Sequence, residues 1–136
     1  MRRDNMGLAL TKDSIDLGII SRNAGPMVTF YRDVLGFEDD GTMEVPGIGT
    51  MYRLRCGSSA IKITEAQPKA DAAPGGLMGS TGLRYWTISV ADVDAATDTC
   101  RKAGHEPVIP PRDIRPGVRI AMFADPDGNW VELLQS

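Results

Sequence analysis

A repeated unit constrains this chain more than any other feature. Asp16-Leu17-Gly18-Ile19-Ile20 is a short apolar strand that leads into Gly25 to Val34, then Leu35-Gly36-Phe37. Much later, Tyr85 to Val90 leads into Asp92 to Cys100, then Lys102-Ala103-Gly104. Both stretches read strand, helix, glycine stop. The first helix has Pro26 near its start, and the second has Asp92 as a candidate N-cap. A later strand closes each copy: Ser59 to Ile63 in the first, Trp130 to Leu134 in the second. Lys62 and Glu132 then occupy matched positions, as do Asp16 and Tyr85. The Asp16-to-Lys62 and Tyr85-to-Glu132 separations differ by one residue. A supersecondary unit used twice is the organising fact, because it sets the fold before any single residue is read.

Periodicity places the faces. In the first helix Met27, Phe30, Tyr31 and Val34 recur at three- and four-residue steps; in the second Val93, Ala96, Cys100 and Ala103 do. These stripes are expected to cover the convex side of a curved sheet. The opposite strand parity then faces a concave side. Asp16, Gly18 and Ile20 share that side, as do Ala60, Lys62 and Thr64. So do Tyr85, Thr87 and Ser89, and Trp130, Glu132 and Leu134. Met51 to Cys56 is a further strand, with Arg53 and Arg55 on one side and Tyr52 and Leu54 on the other. A strand is also expected at Ile120 to Phe123. Asp39-Asp40-Gly41 reads as a turn, and Pro107 to Gly117 as an extended segment plus a loop. Asp125-Pro126-Asp127-Gly128-Asn129 is a tight turn before the last strand.

The expected organisation is an arm over residues 1–13 and one domain over 14–136. Within that domain lie module one (14–65), a Pro-, Gly- and Ala-rich linker (66–82) and module two (83–135). Net charge is −3 without a dense Lys/Arg block, which disfavours a nucleic-acid partner. No apolar run reaches the length of a membrane span. The first residues lack the apolar core of a secretory signal. Cys56 and Cys100 are isolated, as in a cytoplasmic protein with two buried thiols. His105, just past the Gly104 stop, reads as a surface residue.

Phe30-Tyr31-Arg32-Asp33-Val34-Leu35-Gly36-Phe37, Val90-Ala91-Asp92-Val93-Asp94-Ala95-Ala96, and Asp125 to Asn129 with Glu132 carry a family resemblance. The chain resembles the vicinal oxygen chelate superfamily, which includes glyoxalase I, bleomycin and fosfomycin resistance proteins and extradiol dioxygenases. That resemblance spans roughly Ser14 to Gln135. It implies an α+β fold of two βαβββ modules forming a curved, partly closed mixed sheet around a cavity. It also implies pairing of modules from one chain or two, and a homodimer is expected because a lone curved sheet leaves open edges.

In the metalloenzymes of that superfamily four positions at the cavity base supply His and Glu ligands. Carried over, these are Asp16, Lys62, Tyr85 and Glu132. Only Glu132 keeps the usual ligand type. A phenol with a pKa of about 10 is a poor ligand, and a protonated amine has no lone pair. No metal and no cofactor are therefore expected, which disfavours glyoxalase and dioxygenase activity.

Several readings of the quartet stand side by side. Lys62, Asp16 and Glu132 form a buried salt bridge tying the halves together, or they form a polar base that binds a small molecule. A binder would sequester a drug or metabolite, with Trp130, Arg53 and Thr87 as further contacts and aromatic stacking on Trp130 and Tyr85. An enzyme would be a metal-independent lyase or isomerase. In it Lys62 polarises a carbonyl, Glu132 or Asp16 acts as base and Tyr85 as donor. An interaction module whose cavity is filled by side chains is the third reading.

Overall fold

A computed structural model describes residues 7–73 and 76–136. Residues 1–6 of the expected arm, and 74–75 of the expected linker, lie outside the described residues. The chain order is β1 (Leu17–Ser21), α1 (Ala24–Val28) running on as a π-helix (Thr29–Val34), β2 (Glu38–Val45), β3 (Gly49–Cys56) and β4 (Ser59–Glu65). A 3-10 turn (Gly76–Met78) follows. Then come β5 (Tyr85–Ser89), α2 (Val93–Lys102), β6 (Ile109–Arg115), β7 (Val118–Ala124) and β8 (Trp130–Gln135). The strands make two four-stranded mixed sheets with the same order, β1-β4-β3-β2 and β5-β8-β7-β6. Each holds one parallel pair, β1 with β4 and β5 with β8, and is otherwise antiparallel. This is the expected α+β pair of βαβββ modules.

Equivalent residues start the two helices. The Ala24 N–H donates to Glu65 Oε1 (2.9 Å), and the Val93 N–H donates to Gln135 Oε1 (2.9 Å). Glu65 and Gln135 each end the last strand of their module, three residues beyond Lys62 and Glu132. Each satisfies an N–H that the helix itself leaves unpaired. Asp92 adds the expected N-cap, accepting from the Ala95 N–H at 3.0 Å. Pro26 sits in the first turn of α1, where its missing N–H costs nothing.

Three local features differ from the sequence reading. The Asp39-Asp40-Gly41 turn is a bulge inside β2, where the β2–β3 register shifts between Asp39 and Thr42. Gly41 there has φ +97° and its N–H donates to Asp39 Oδ1 at 2.8 Å. The bend is real, but the strand resumes after it. Second, Ile109–Arg115 is a strand despite Pro110 and Pro111. It is the outer strand of its sheet, where a residue without an N–H is tolerated, and its register breaks beside the prolines. Third, the first helix widens after Val28. The Leu35 N–H reaches back five residues to the Phe30 carbonyl (3.0 Å), a π-type bond. Consecutive Phe30 and Tyr31 lie in this stretch and are both buried.

The core is shared between the modules. Met27, Phe30 and Tyr31 of the first helix, Val93 and Cys100 of the second, and Leu54, Ile61, Ile63, Phe123, Val131 and Leu133 of the sheets form one buried cluster. Both sheets thus turn their helix-bearing sides toward common ground. The Tyr31 ring, 0 % exposed, packs edge-on to Phe30 (5.0 Å) and lies 5.7 Å from Trp86 of module two. His105 is half-buried, its ring edge-on to Phe30 at 4.9 Å, rather than a free surface residue. The Tyr31 hydroxyl donates to Asp125 Oδ2 at 2.7 Å. Asp125 Oδ1 accepts from the N–H groups of Asp127 and Asn129 (both 2.9 Å), which folds the turn before β8. One carboxylate therefore holds the turn of module two and the helix of module one. Burial pushes the Tyr31 phenol far up, and the adjacent Asp125 adds to the rise. Among the described residues no helix is long and apolar enough to cross a membrane.

Replacing Tyr31 with Phe keeps the ring and removes one buried, charge-assisted bond, a loss of about 1–3 kcal/mol. Arg101→Ala, which removes an exposed pair with Glu106, is expected to cost about 0.5 kcal/mol or less. Urea unfolding of both variants checks the contrast, and equal midpoints would remove Tyr31–Asp125 from its central place.

Candidate functional site

The sequence quartet is divided between the modules: Lys62 stands on the first sheet with Asp16 just before β1, and Tyr85 and Glu132 stand on the second sheet. On the first sheet Lys62 stands in register with Gly18 of β1 on one side and Arg53 of β3 on the other. Its neighbours Ile61 and Ile63 are buried in the core, so Lys62 points the other way. Asp16 lies just before β1. Its Oδ1 accepts from the Ala60 N–H and from Lys12 Nζ, both at 2.8 Å. Lys12 and Ser14 also donate to the Ser58 carbonyl (both 3.1 Å). Asp16 thus staples the start of β1 to the β3–β4 turn. The Ala60 N–H first, and then Lys12, hold its carboxyl below the usual range. A carboxylate so stabilised is a fixed anion and a weak base.

On the second sheet Thr87 and Glu132 are register partners, and Thr87 Oγ1 donates to Glu132 Oε1 at 2.7 Å. Tyr85 pairs with Trp130 two positions earlier and remains 48 % exposed. Tyr85 and Trp130 line a cavity of about 170 Å³ with Leu17 and Ile19 of β1. A larger cavity, about 540 Å³, opens between Leu17 and Ile61 of the first sheet and Trp86, Thr87 and Ile88 of the second. The outer strands β1 and β5 therefore face each other across a seam. Of the quartet, Tyr85 lines the smaller cavity, and Asp16, Lys62 and Glu132 line neither. Among the described residues, Lys62 has no carboxylate within 4.0 Å, so the bridge to Asp16 or Glu132, one of the readings of the quartet, is not made.

Contacts around Trp130 lie beyond what the sequence reading found. The backbone of Gly76 packs on the indole so closely that a methyl group there would collide with the ring, and Gly76 has φ +57°. Arg84, one residue before β5, donates from Nε to the Gly76 carbonyl at 2.8 Å. The Ala66-to-Gly82 segment is thus anchored on the aromatic wall at this point. No sequence signal pairs Arg84 with Gly76, although a glycine is what such close approach requires. Lys12 and Ser58 were missed as well: the Lys12 ammonium meets both the Asp16 carboxylate and the Ser58 carbonyl, a contact across 46 residues.

The donor set does not fit the divalent metal of the metalloenzymes that the sequence resembles. Lys62 and Tyr85 occupy two of the four positions, Asp16 is held by Lys12 and Ala60, and Glu132 is bonded to Thr87. Among the described residues no three His, Cys, Asp or Glu side chains gather as a metal site. Burial pushes the Cys56 and Cys100 thiols up, which leaves both poor nucleophiles.

Comparison with known proteins follows this geometry. Residues 15–133 match the family model described as Glyoxalase/Bleomycin resistance protein/Dioxygenase superfamily. A search of curated proteins gives no match. Among solved structures, a glyoxalase family protein from Enterococcus faecalis is 26% identical, with TM-score 0.74, covering 92% of this chain and 98% of its own. An antibiotic binding protein from a Streptomyces species is 20% identical, with TM-score 0.70, covering 93% and 97%. Glyoxalase I from Zea mays is 21% identical, with TM-score 0.75, covering 89% of this chain and 43% of its own. The last two likenesses speak for the fold alone.

Two measurements test this geometry. Carboxyl-detected NMR titration is expected to place Asp16 below the ordinary aspartate value. Lys12→Met is expected to raise it only part of the way, because the Ala60 bond remains; an unshifted Asp16 in the parent chain would refute the staple. Gly76→Ala is expected to move the indole and change tryptophan emission, and Trp130→Phe identifies the reporting ring. Unchanged emission in Gly76→Ala would dismiss the contact.

Proposed function

The chain belongs to the Glyoxalase/Bleomycin resistance protein/Dioxygenase superfamily, and we propose that within it this protein binds a small molecule without a metal, as a drug- or metabolite-sequestering protein. The observation that carries the reading is the chemistry at the four equivalent positions: an ammonium and a phenol stand at two of them, and Asp16 is already bonded to Lys12 and Ala60. What remains is a polar and aromatic surface suited to holding an organic ligand. Trp130 and Tyr85 offer ring faces, Glu132 and Thr87 a bonded acceptor and hydroxyl, Lys62 and Arg53 two cations. The antibiotic binding protein from Streptomyces has the same fold, so the fold is compatible with such a use.

A lyase or isomerase needs a base at this surface. Asp16 does not supply one, because its hydrogen bonds stabilise the anion and weaken it as a proton acceptor. Glu132, which accepts from Thr87 Oγ1, remains as the candidate base of that alternative.

A homodimer belongs to this proposal. Ile20 and Tyr85, 53 % and 48 % exposed, flank the seam on the outward sides, and apolar side chains beside a ligand surface gain by being covered. A second copy laid against these faces would close them over a ligand. The free thiols, Cys56 and Cys100, suit a cytoplasmic setting.

Native mass spectrometry against a library of antibiotics and metabolites tests both parts. The expected species is a dimer carrying ligand of unaltered mass, one molecule per site. Consumption of a library compound that disappears in Lys62→Met would transfer the case to the lyase. Sedimentation showing only a 14.7 kDa species at micromolar concentration would remove the dimer.

A further inference from the structure

Lys62 and Arg53 are directly opposite each other on β4 and β3. Both point away from the core, since Ile61, Ile63 and Leu54 beside them are buried. Like charges placed directly opposite on adjacent strands repel, and a folded sheet keeps such a pair only where something else offsets it. The chain's own acids do so incompletely. Asp40 Oδ2 lies 3.6 Å from Arg53 and equally 3.6 Å from Arg55, so one carboxylate is shared by two guanidinium groups. Glu38 is in register with Arg55 rather than with Lys62. Asp16 acts on Lys62 only through space, its carboxylate being bonded to Lys12 and the Ala60 N–H. On the other side of Lys62 is Gly18, where an added Cβ would meet nothing within 4 Å. Two residues further along β1, on the same side, is half-exposed Ile20. The row Gly18–Lys62–Arg53 is thus an open floor ending in two cations, with an apolar side chain at its edge.

We propose that this row is an oxyanion subsite: it takes a carboxylate, sulfonate or phosphate group whose apolar body lies over Gly18 and Ile20. The inference rests on the small-molecule-binding reading and names the chemistry of one end of the ligand. Lys62 supplies a mobile ammonium and Arg53 a planar donor pair, a combination that binds oxyanions through charge-assisted bonds. An anion seated there relieves the Lys62–Arg53 repulsion, which a neutral group cannot do. All the groups belong to one sheet of one chain, so the subsite does not depend on the dimer.

Fluorescence titration of the full chain at low salt tests it with two probes. 1-Anilinonaphthalene-8-sulfonate carries the anion, and N-phenyl-1-naphthylamine has the same ring systems without it. The sulfonate is expected to bind on the order of tenfold more tightly, as one charge-assisted contact implies. Lys62→Met and Arg53→Met are each expected to remove most of that preference, whereas Lys62→Arg keeps it. Affinity for the neutral amine should change less than affinity for the sulfonate in both Met variants, and melting curves of all three variants establish that they fold. Displacement of the sulfonate by benzoate or by inorganic phosphate supports the subsite and tells a carboxylate ligand from a phosphate one; displacement by neither overturns it. Equal affinity for the two probes, or a preference that survives both Met variants, overturns the subsite while leaving small-molecule binding intact. Binding of neither probe overturns the subsite and counts against the binding reading beneath it.

Discussion

Everything in this molecule follows from two curved sheets burying the same kind of side against the same core. A sheet with helices on one side must hide that side from water, and here each module uses the other to finish the job. The first helix contributes more of the common ground than any other element, with Phe30 and Tyr31 inside where the helix widens. The Tyr31–Asp125 bond then fixes one module relative to the other at a single polar point within an apolar contact. Asp125 is over-committed by design of the turn: it also accepts from Asp127 and Asn129. Burial raises its carboxyl above the usual range against those bonds. Neither module is complete alone, and what the arrangement leaves outward is the pair of surfaces on which the candidate site residues stand.

Much of this was legible because it depends on period. Strand parity placed Lys62, Thr87 and Glu132 on the side opposite the helices, and Arg53 opposite Tyr52 and Leu54; the register pairs Lys62 with Arg53 and Thr87 with Glu132. The second helix, with Asp92 at its start and Gly104 after its end, was read over the same residues that form it. The failures share a cause. A glycine after two aspartates signals a bend but does not say whether the strand stops or merely bulges, and the answer came from pairing with β3. Pro110 and Pro111 argue against a strand unless it is the outer one, which is a fact about topology. The widened helix is invisible to a heptad-like stripe, since the stripe assumes an even turn.

For the site, position was legible and partnership was not. The internal repeat identified the four equivalent positions without help from coordinates. Which of them are already engaged depends on contacts across more than forty residues, such as Asp16 with Ala60 and Thr87 with Glu132. These partners change the chemistry. An Asp stapled by an N–H and an ammonium is an anchor; the same Asp unbonded would be a base. Likewise Trp130 is a ligand wall only to the extent that the Gly76 backbone leaves it uncovered.

The helix caps at Glu65 and Gln135 have a consequence for how this architecture tolerates change. The residue that ends each final strand also begins the module's helix. Slipping β4 by one residue against β1 would turn Lys62 inward and Ile61 outward. The same slip would carry Glu65 away from Ala24 and leave that helix N–H bare. Two distant errors would thus arise from one shift, and both are costly. The double use works as a parity check on alignment: a misthreaded strand is penalised at the sheet and at the helix together.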